Sequence, residues 1–190
     1  METEYEATFS NIDKNIVRNK LKSIGAILIR KEFLMKRVTF NLPSNEKGKW
    51  LRVRDEDGKV TMSMKAIIGD GIESQKEIYL EVNDFKSAES LLVSIGCHKK
   101  AYQENKRELW NLGDVEIAID EWPFLEPFVE IEGPNEQQVV KVSELLGFDY
   151  SKAIFSSTDE QYTAKYGVSE DKVVNYTPRI AFGDENPFID

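Results

Sequence analysis

Carboxylates and cations recur at every second position along this chain, in short runs that place like groups on one face of a strand. Glu4 and Glu6, with Thr8, alternate with Tyr5, Ala7 and Phe9. Arg52 and Arg54 alternate with Leu51 and Val53, and Lys65 shares a face with Thr61 and Ser63, opposite Val60, Met62 and Met64. Glu77 opposes Ile78 and Leu80; Glu116 and Asp120 oppose Val115, Ile117 and Ile119; Glu130 and Glu132 oppose Val129 and Ile131. Successive side chains of a strand point to opposite faces, so each run has an apolar and a charged side. Any one of them alone is an ordinary antiparallel strand with its charges in water. Taken together the charged faces are sorted by sign, carboxylates on some strands and cations on others. Charges of both signs crowded inside a curled sheet are costly unless paired or liganded. Arginine forks take phosphoryl oxygens two at a time and lysine adds a point charge. Clustered Glu and Asp hold Mg²⁺ or Mn²⁺ through oxygen. The chemistry indicated is the binding of a multiply charged phosphate together with a divalent metal, which screens the charge that develops in transfer.

The elements that must carry these residues are legible in the periodicity. Helices are expected from near Asn11 or Asp13 to Ile24, from Asp84 to Ile95 and from Asn135 to Leu146. Each opens on an Asn or Asp able to cap free N–H groups and stops at a glycine, Gly25, Gly96 or Gly147. Between them the period is two, giving strands at Thr3–Phe9, Ile27–Leu42, Trp50–Glu56, Val60–Ala66, Gln75–Val82, His98–Leu112, Val115–Trp122 and Phe128–Gly133. Turns fall at Pro43-Ser44-Asn45, Asp57-Gly58, Gly69-Asp70-Gly71 and Gly113-Asp114. A weak repeat relates Ser23-Ile24-Gly25-Ala26 to Ser94-Ile95-Gly96-Cys97, and implies two similar halves about a pseudo-twofold axis. Three amphipathic helices have little to cover except the apolar face of the sheet. The expected fold is therefore α+β, a closed or nearly closed antiparallel barrel of about eight strands with helices outside and the charged face in the lumen. Residues 1–150 form this domain; residues 151–190 are expected as a helical and irregular appendage of it, with one or two short helices around Asp159–Tyr166 and then a loosely held polar tail carrying Pro178 and Pro187.

Composition narrows the classes further. The 190 residues carry 25 Lys+Arg against 34 Asp+Glu, a net charge of −9 that opposes binding to a nucleic-acid duplex or an anionic membrane. One cysteine, Cys97, allows no internal disulfide, and one histidine, His98, excludes a multi-histidine metal site. The absence of a long apolar run makes the cytoplasm the expected location. Trp50, Trp110 and Trp122 are read as packing residues.

At the charged strands the sequence resembles the CYTH family, the triphosphate tunnel metalloenzymes. The family's opening ExExK strand looks like Glu4-Tyr5-Glu6-Ala7-Thr8, its pair of tunnel cations like Arg52-Val53-Arg54, and its Leu-Lys strand like Met64-Lys65. Lys106-Arg107 matches its basic sixth strand, and Asp120 through Phe128-Val129-Glu130-Ile131-Glu132 matches its closing signature. The likeness runs over about residues 2–150, with the motifs in the family order.

The resemblance implies a triphosphate tunnel in which Glu4, Glu6, Asp120, Glu130 and Glu132 hold Mg²⁺ or Mn²⁺ and take part in catalysis. Arg37, Arg52, Arg54, Lys65 and Arg107 would bind the substrate, with Thr8, Glu77, Lys106 and Glu116 as additional tunnel residues. It implies a metal-dependent phosphohydrolase acting on an inorganic or organic triphosphate. The alternatives are a class IV adenylate cyclase forming cyclic AMP and pyrophosphate, or a weakly active or non-catalytic polyphosphate-binding module. A homodimer is compatible with it. Two departures bear on the site. Thr8 stands where the family has a lysine, and Arg37 stands where the second strand usually carries an acid. Either Arg37 supplies the missing tunnel cation or it pairs with Glu4 or Glu6.

Overall fold

The computed structural model describes residues 1–69 and 71–189; the turn expected at Gly69-Asp70-Gly71 includes Asp70, which lies outside the described residues. The strands are β1 (Glu2–Thr3), β2 (Tyr5–Phe9), β3 (Ile27–Asn41), β4 (Lys49–Asp55), β5 (Val60–Ile67), β6 (Gln75–Val82), β7 (His98–Leu112), β8 (Val115–Glu121), β9 (Phe128–Gly133) and β10 (Arg179–Ile180). Helices α1 (Lys14–Ser23), α2 (Phe85–Ser94) and α3 (Glu136–Leu146) alternate with them, and α4 (Thr158–Tyr166) and α5 (Glu170–Asn175) follow. Antiparallel strands form a strongly curled sheet with α1, α2 and α3 packed outside, in the order β1-β6-β5-β4-β3-β7-β8-β9-β2.

The expected first strand is one segment that changes partner. Residues 2–3 pair with β6, the Glu4 N–H donates to the Gln75 carbonyl at 3.1 Å, and residues 5–9 pair with β9. Both edges of the curled sheet are therefore met by the N-terminal segment. The expected halves are visible too. Each supplies a strand, a helix, a long strand and two more strands, and the two 15-residue strands, β3 and β7, pair at the centre. The opening strand of each half lies at the far edge of the other, as a pseudo-twofold relation through the β3–β7 pair requires.

The helix boundaries follow from capping chemistry. The Asp13 carboxylate accepts from the Asn15 and Ile16 N–H groups at 2.7 and 3.0 Å, and Asp84 and Asn135 cap α2 and α3 the same way. At the other ends Gly25, Gly96 and Gly147 take φ of +82°, +91° and +87°, a backbone state that a Cβ disfavours. Val17 and Leu21 of α1, with Val139 and Val142 of α3, cover Ile117, Ile119 and Ile131. Ala88 and Leu92 of α2, with Cys97, cover Val38, Phe40 and Val53. Trp110 is a packing residue as expected. Its indole N–H donates to Glu108 at 2.7 Å, and the Arg18 Nη2 of α1 meets the same carboxylate at 2.9 Å. No helix among the described residues is long and apolar enough to cross a membrane.

Helix α4 lies where a short helix is expected, around Asp159–Tyr166, but the tail after it departs from expectation: it is firmly packed. Tyr162, Val173, Ile180 and Phe188 are buried in one cluster with Trp122 and Phe128, and β10 adds to β7 in parallel. Each of these elements contributes only one or two apolar side chains, so no period shows in the sequence although the side chains converge in space. The Phe188 ring lies 4.7 Å from that of Tyr162 and 5.5 Å from that of Tyr166, centroid to centroid. Phe188→Ala should cost about 3 kcal/mol, read as a lowered denaturant midpoint with the slope unchanged.

Candidate functional site

The curled sheet encloses a charged cavity of about 980 Å³. Its walls are the faces anticipated from the alternation. Glu4, Glu6 and Thr8 line it from the N-terminal segment, Arg52, Arg54 and Lys65 from β4 and β5, and Glu116, Glu130 and Glu132 from β8 and β9. Arg37, Glu77 and Arg107 complete the set. Two expected residues do not line it. Asp120 is fully buried behind Arg107, whose Nε and Nη2 meet its two oxygens at 2.8 and 2.6 Å. Lys106 is one residue from Arg107 and so takes the opposite face, where its Nζ meets Glu121 at 3.1 Å and lies over the Phe182 ring.

Sheet register brings like charges together. Glu6 is the cross-strand partner of Glu132, which is in turn the partner of Glu116, and Thr8 is the partner of Glu130. Directly opposed like charges are unfavourable. Burial, then the charge of Glu130, pushes the Glu6 carboxyl up to about 8; Glu132 is also raised, by burial and Glu116. Glu4 rises to about 7 through burial and its hydrogen bond with Glu77, against the pull of Lys65 at 2.9 Å. Burial opposes ionisation of Glu77 as well, but the Glu4 hydrogen bond and the charges of Lys65 and Arg52 hold it at about 2. The Arg52 Nη2 lies 3.0 Å from Glu77.

The cations are under-satisfied in the complementary sense. Arg37 is 7% exposed, and its guanidinium donates to the Asn105 side-chain oxygen and stacks over the Trp122 ring at 4.5 Å. It pairs with neither Glu4, which is held by Lys65, nor Glu6, which accepts from the Gln75 amide at 3.2 Å. Burial lowers its pKa well below the ordinary arginine value, and the facing charges of Arg52, Arg54 and Arg107 add to this. Arg52 is lowered to about 10, by burial and then by Arg54. The Nε atoms of Arg37, Arg52 and Arg54 are all buried without an acceptor among the described residues. Arg107 differs: against the cost of burial, the charges of Asp120 and Glu130 raise its pKa well above the usual arginine value. Buried donors without acceptors are costly, and an anion with several oxygens is the ligand that satisfies them.

A divalent cation fits the opposite wall in chemistry. Glu6, Glu130 and Glu132 offer hard oxygen donors, and a cation would favour the ionised form of Glu6, whose carboxyl is raised first by burial and then by the charge of Glu130. Among the described residues no group of three or more acidic side chains is already gathered closely enough to hold an ion. Glu130 is engaged by Arg107.

Residues after Gly147 also reach the cavity, a contribution the sequence reading did not include. Ser156, Asp159, Tyr162 and Tyr176 line it, as do Trp50 and Trp122. The Thr8 and Ile154 backbones exchange two hydrogen bonds of 3.0 Å, joining this segment to the strand that carries Glu4 and Glu6. The sole advance sign of this was the polar residues of an aperiodic stretch, which resemble those of any loop.

Comparison with known proteins agrees with this geometry. A Methanocaldococcus jannaschii protein named putative adenylate cyclase is 30% identical over 124 residues, covering 63% of this chain and 70% of that protein. A conserved hypothetical protein of Pyrococcus furiosus superposes with a TM-score of 0.72 at 21% identity, over 84% of this chain and 99% of the other. A putative adenylyl cyclase of Hippeastrum, described as having a dominant triphosphatase activity, superposes with a TM-score of 0.59 at 14% identity, over 87% and 97%. At these identities the structural likeness concerns the fold. The model of the CYTH domain matches residues 38–162, from β3 through β9 and into α4, and the chain therefore belongs to the CYTH domain family.

Proposed function

We propose that the protein is a metal-dependent phosphohydrolase that takes a triphosphate-containing substrate into this cavity. The observation that carries the reading is the group Arg37, Arg52 and Arg54, each with a buried Nε that has no acceptor among the described residues, and all lining one cavity. A compact polyanion supplies the acceptors these donors lack, and Lys65 and Arg107 stand on the same face to share its charge. Glu6, Glu130 and Glu132 would hold Mg²⁺ or Mn²⁺, which when bound neutralises phosphoryl charge as it develops. Glu6, whose carboxyl is pushed up to about 8 by burial and the charge of Glu130, would give up its proton on holding such a cation. Asp120 holds the Arg107 guanidinium in a fixed orientation through its two hydrogen bonds.

A second reading, the conversion of ATP to cyclic AMP and pyrophosphate, is favoured by the name of the Methanocaldococcus jannaschii relative and by a cavity of about 980 Å³, roomier than an inorganic triphosphate needs. One assay separates the two. Pure protein is incubated with tripolyphosphate, thiamine triphosphate and ATP, each with Mg²⁺ or Mn²⁺, and the products are identified. Orthophosphate release that EDTA abolishes is the expected result. Cyclic AMP with pyrophosphate would establish the second reading, and turnover indifferent to EDTA would remove the metal from the mechanism.

A further inference from the structure

Trp122 was expected to do no more than pack. Its ring does pack: it is 5% exposed and belongs to the cluster with Tyr162, Val173, Ile180 and Phe188. Two observations remain once packing is accounted for. The Arg37 guanidinium lies over the Trp122 ring at 4.5 Å, and the indole N–H is buried with no acceptor among the described residues. A buried indole N–H ordinarily finds a partner, as that of Trp110 does in Glu108. Trp122 also lines the charged cavity, together with Arg37, whose own Nε lacks an acceptor. The two side chains thus bring one charged and one neutral donor, both unsatisfied, to the same wall.

We infer that Trp122 and Arg37 form a phosphate clamp, in which the Trp122 ring positions the Arg37 guanidinium and the indole N–H donates directly to a phosphoryl oxygen. The inference rests on the proposed triphosphate reading and adds a residue to it. Its physical basis is a division of labour within one side chain. The π-face holds a cation that has no carboxylate partner among the described residues, and the ring edge offers a neutral donor that adds no further repulsion to a wall already crowded with arginines. The C-terminal segment fixes the ring from behind, since Tyr162, Val173 and Phe188 complete its cluster. The clamp therefore depends on the residues beyond α3.

The protein has three tryptophans, so its amide-proton NMR spectrum should contain three indole N–H signals. Trp122→Phe removes one and so assigns it; should that variant fail to fold, Trp50→Phe and Trp110→Phe assign it by exclusion. On titration of the wild-type protein with tripolyphosphate the Trp122 signal should move downfield. Trp122→Phe, which keeps a ring beneath Arg37 but loses the N–H, should bind tripolyphosphate roughly tenfold more weakly by calorimetry, as expected for one hydrogen bond to a charged group. Trp122→Leu, which also loses the cation–π contact, should bind more weakly still. In the Arg37→Ala background Trp122→Leu should add less than it does alone, only the roughly tenfold loss of the N–H, because no guanidinium is left for the ring to position. A stationary Trp122 signal, or wild-type affinity in Trp122→Phe, overturns the clamp. If the wild-type protein does not bind tripolyphosphate in any metal condition, the triphosphate reading falls, a different result from binding that ignores Trp122.

Discussion

Glu6→Gln should lower metal-stimulated triphosphate turnover by at least about 100-fold, since even residues one step removed from a metal ligand commonly cost 10–100-fold. The same substitution should make the metal-free protein more stable at alkaline pH. Glu6 is buried opposite Glu132 and near Glu130, and its carboxyl is pushed up to about 8. A carboxyl whose pKa is higher folded than unfolded binds its proton more tightly in the folded state. Its contribution to stability is fully present below the unfolded value of about 4.5 and is lost as pH rises through the folded value of about 8. Glu4, raised to about 7, acts in the same direction over the same window. The wild-type metal-free protein should therefore unfold at lower temperature at pH 9 than at pH 5.5. Mg²⁺ or Mn²⁺ should narrow that difference, and Glu6→Gln should narrow it without metal. Thermal unfolding at both pH values, with and without metal, measures all of these. A wild-type protein equally stable at both, and unmoved by metal, would place Glu6 outside any cation site.

Arg37→Ala should weaken triphosphate binding by about 2–5 kcal/mol, the range for truncating one partner of a desolvated charge-assisted contact. The structure excludes one competing account in advance, because Arg37 touches Asn105 and Trp122 and neither Glu4 nor Glu6. Its removal should thus leave metal affinity nearly unchanged. Thr8 lines the same cavity, and a lysine there would reach the lumen from the N-terminal strand. Thr8→Lys in the Arg37→Ala background should recover part of the lost affinity, and in the wild-type background it should strengthen binding less, because it adds a cation to a group that already repels itself. Calorimetric titration of the four proteins with tripolyphosphate forms the double-mutant cycle. Additive effects would show that the two positions do not share a ligand.

The sequence by itself determined everything that depends on local period and local capping. Asp13, Asp84 and Asn135 begin the helices and Gly25, Gly96 and Gly147 end them, because caps act within one turn of the chain. The alternation in β4, β5, β8 and β9 told which charges share a face, because successive strand side chains oppose one another whatever the neighbours are. The same alternation separates Lys106 from Arg107, and applying the family pattern to both at once hid that. Which strands face each other across the lumen was decided only by the fold. Glu6 is set against Glu132 and Arg37 is left stacked on Trp122 because distant strands meet in a particular register around the curled sheet. The segment after Gly147 was illegible for a related reason. Tyr162, Val173, Ile180 and Phe188 lie on different short elements and share no spacing; only tertiary packing collects them over Trp122. A period records contacts between residues a few positions apart, whereas Glu6 meets Glu132 and Arg37 meets Trp122 across 126 and 85 positions.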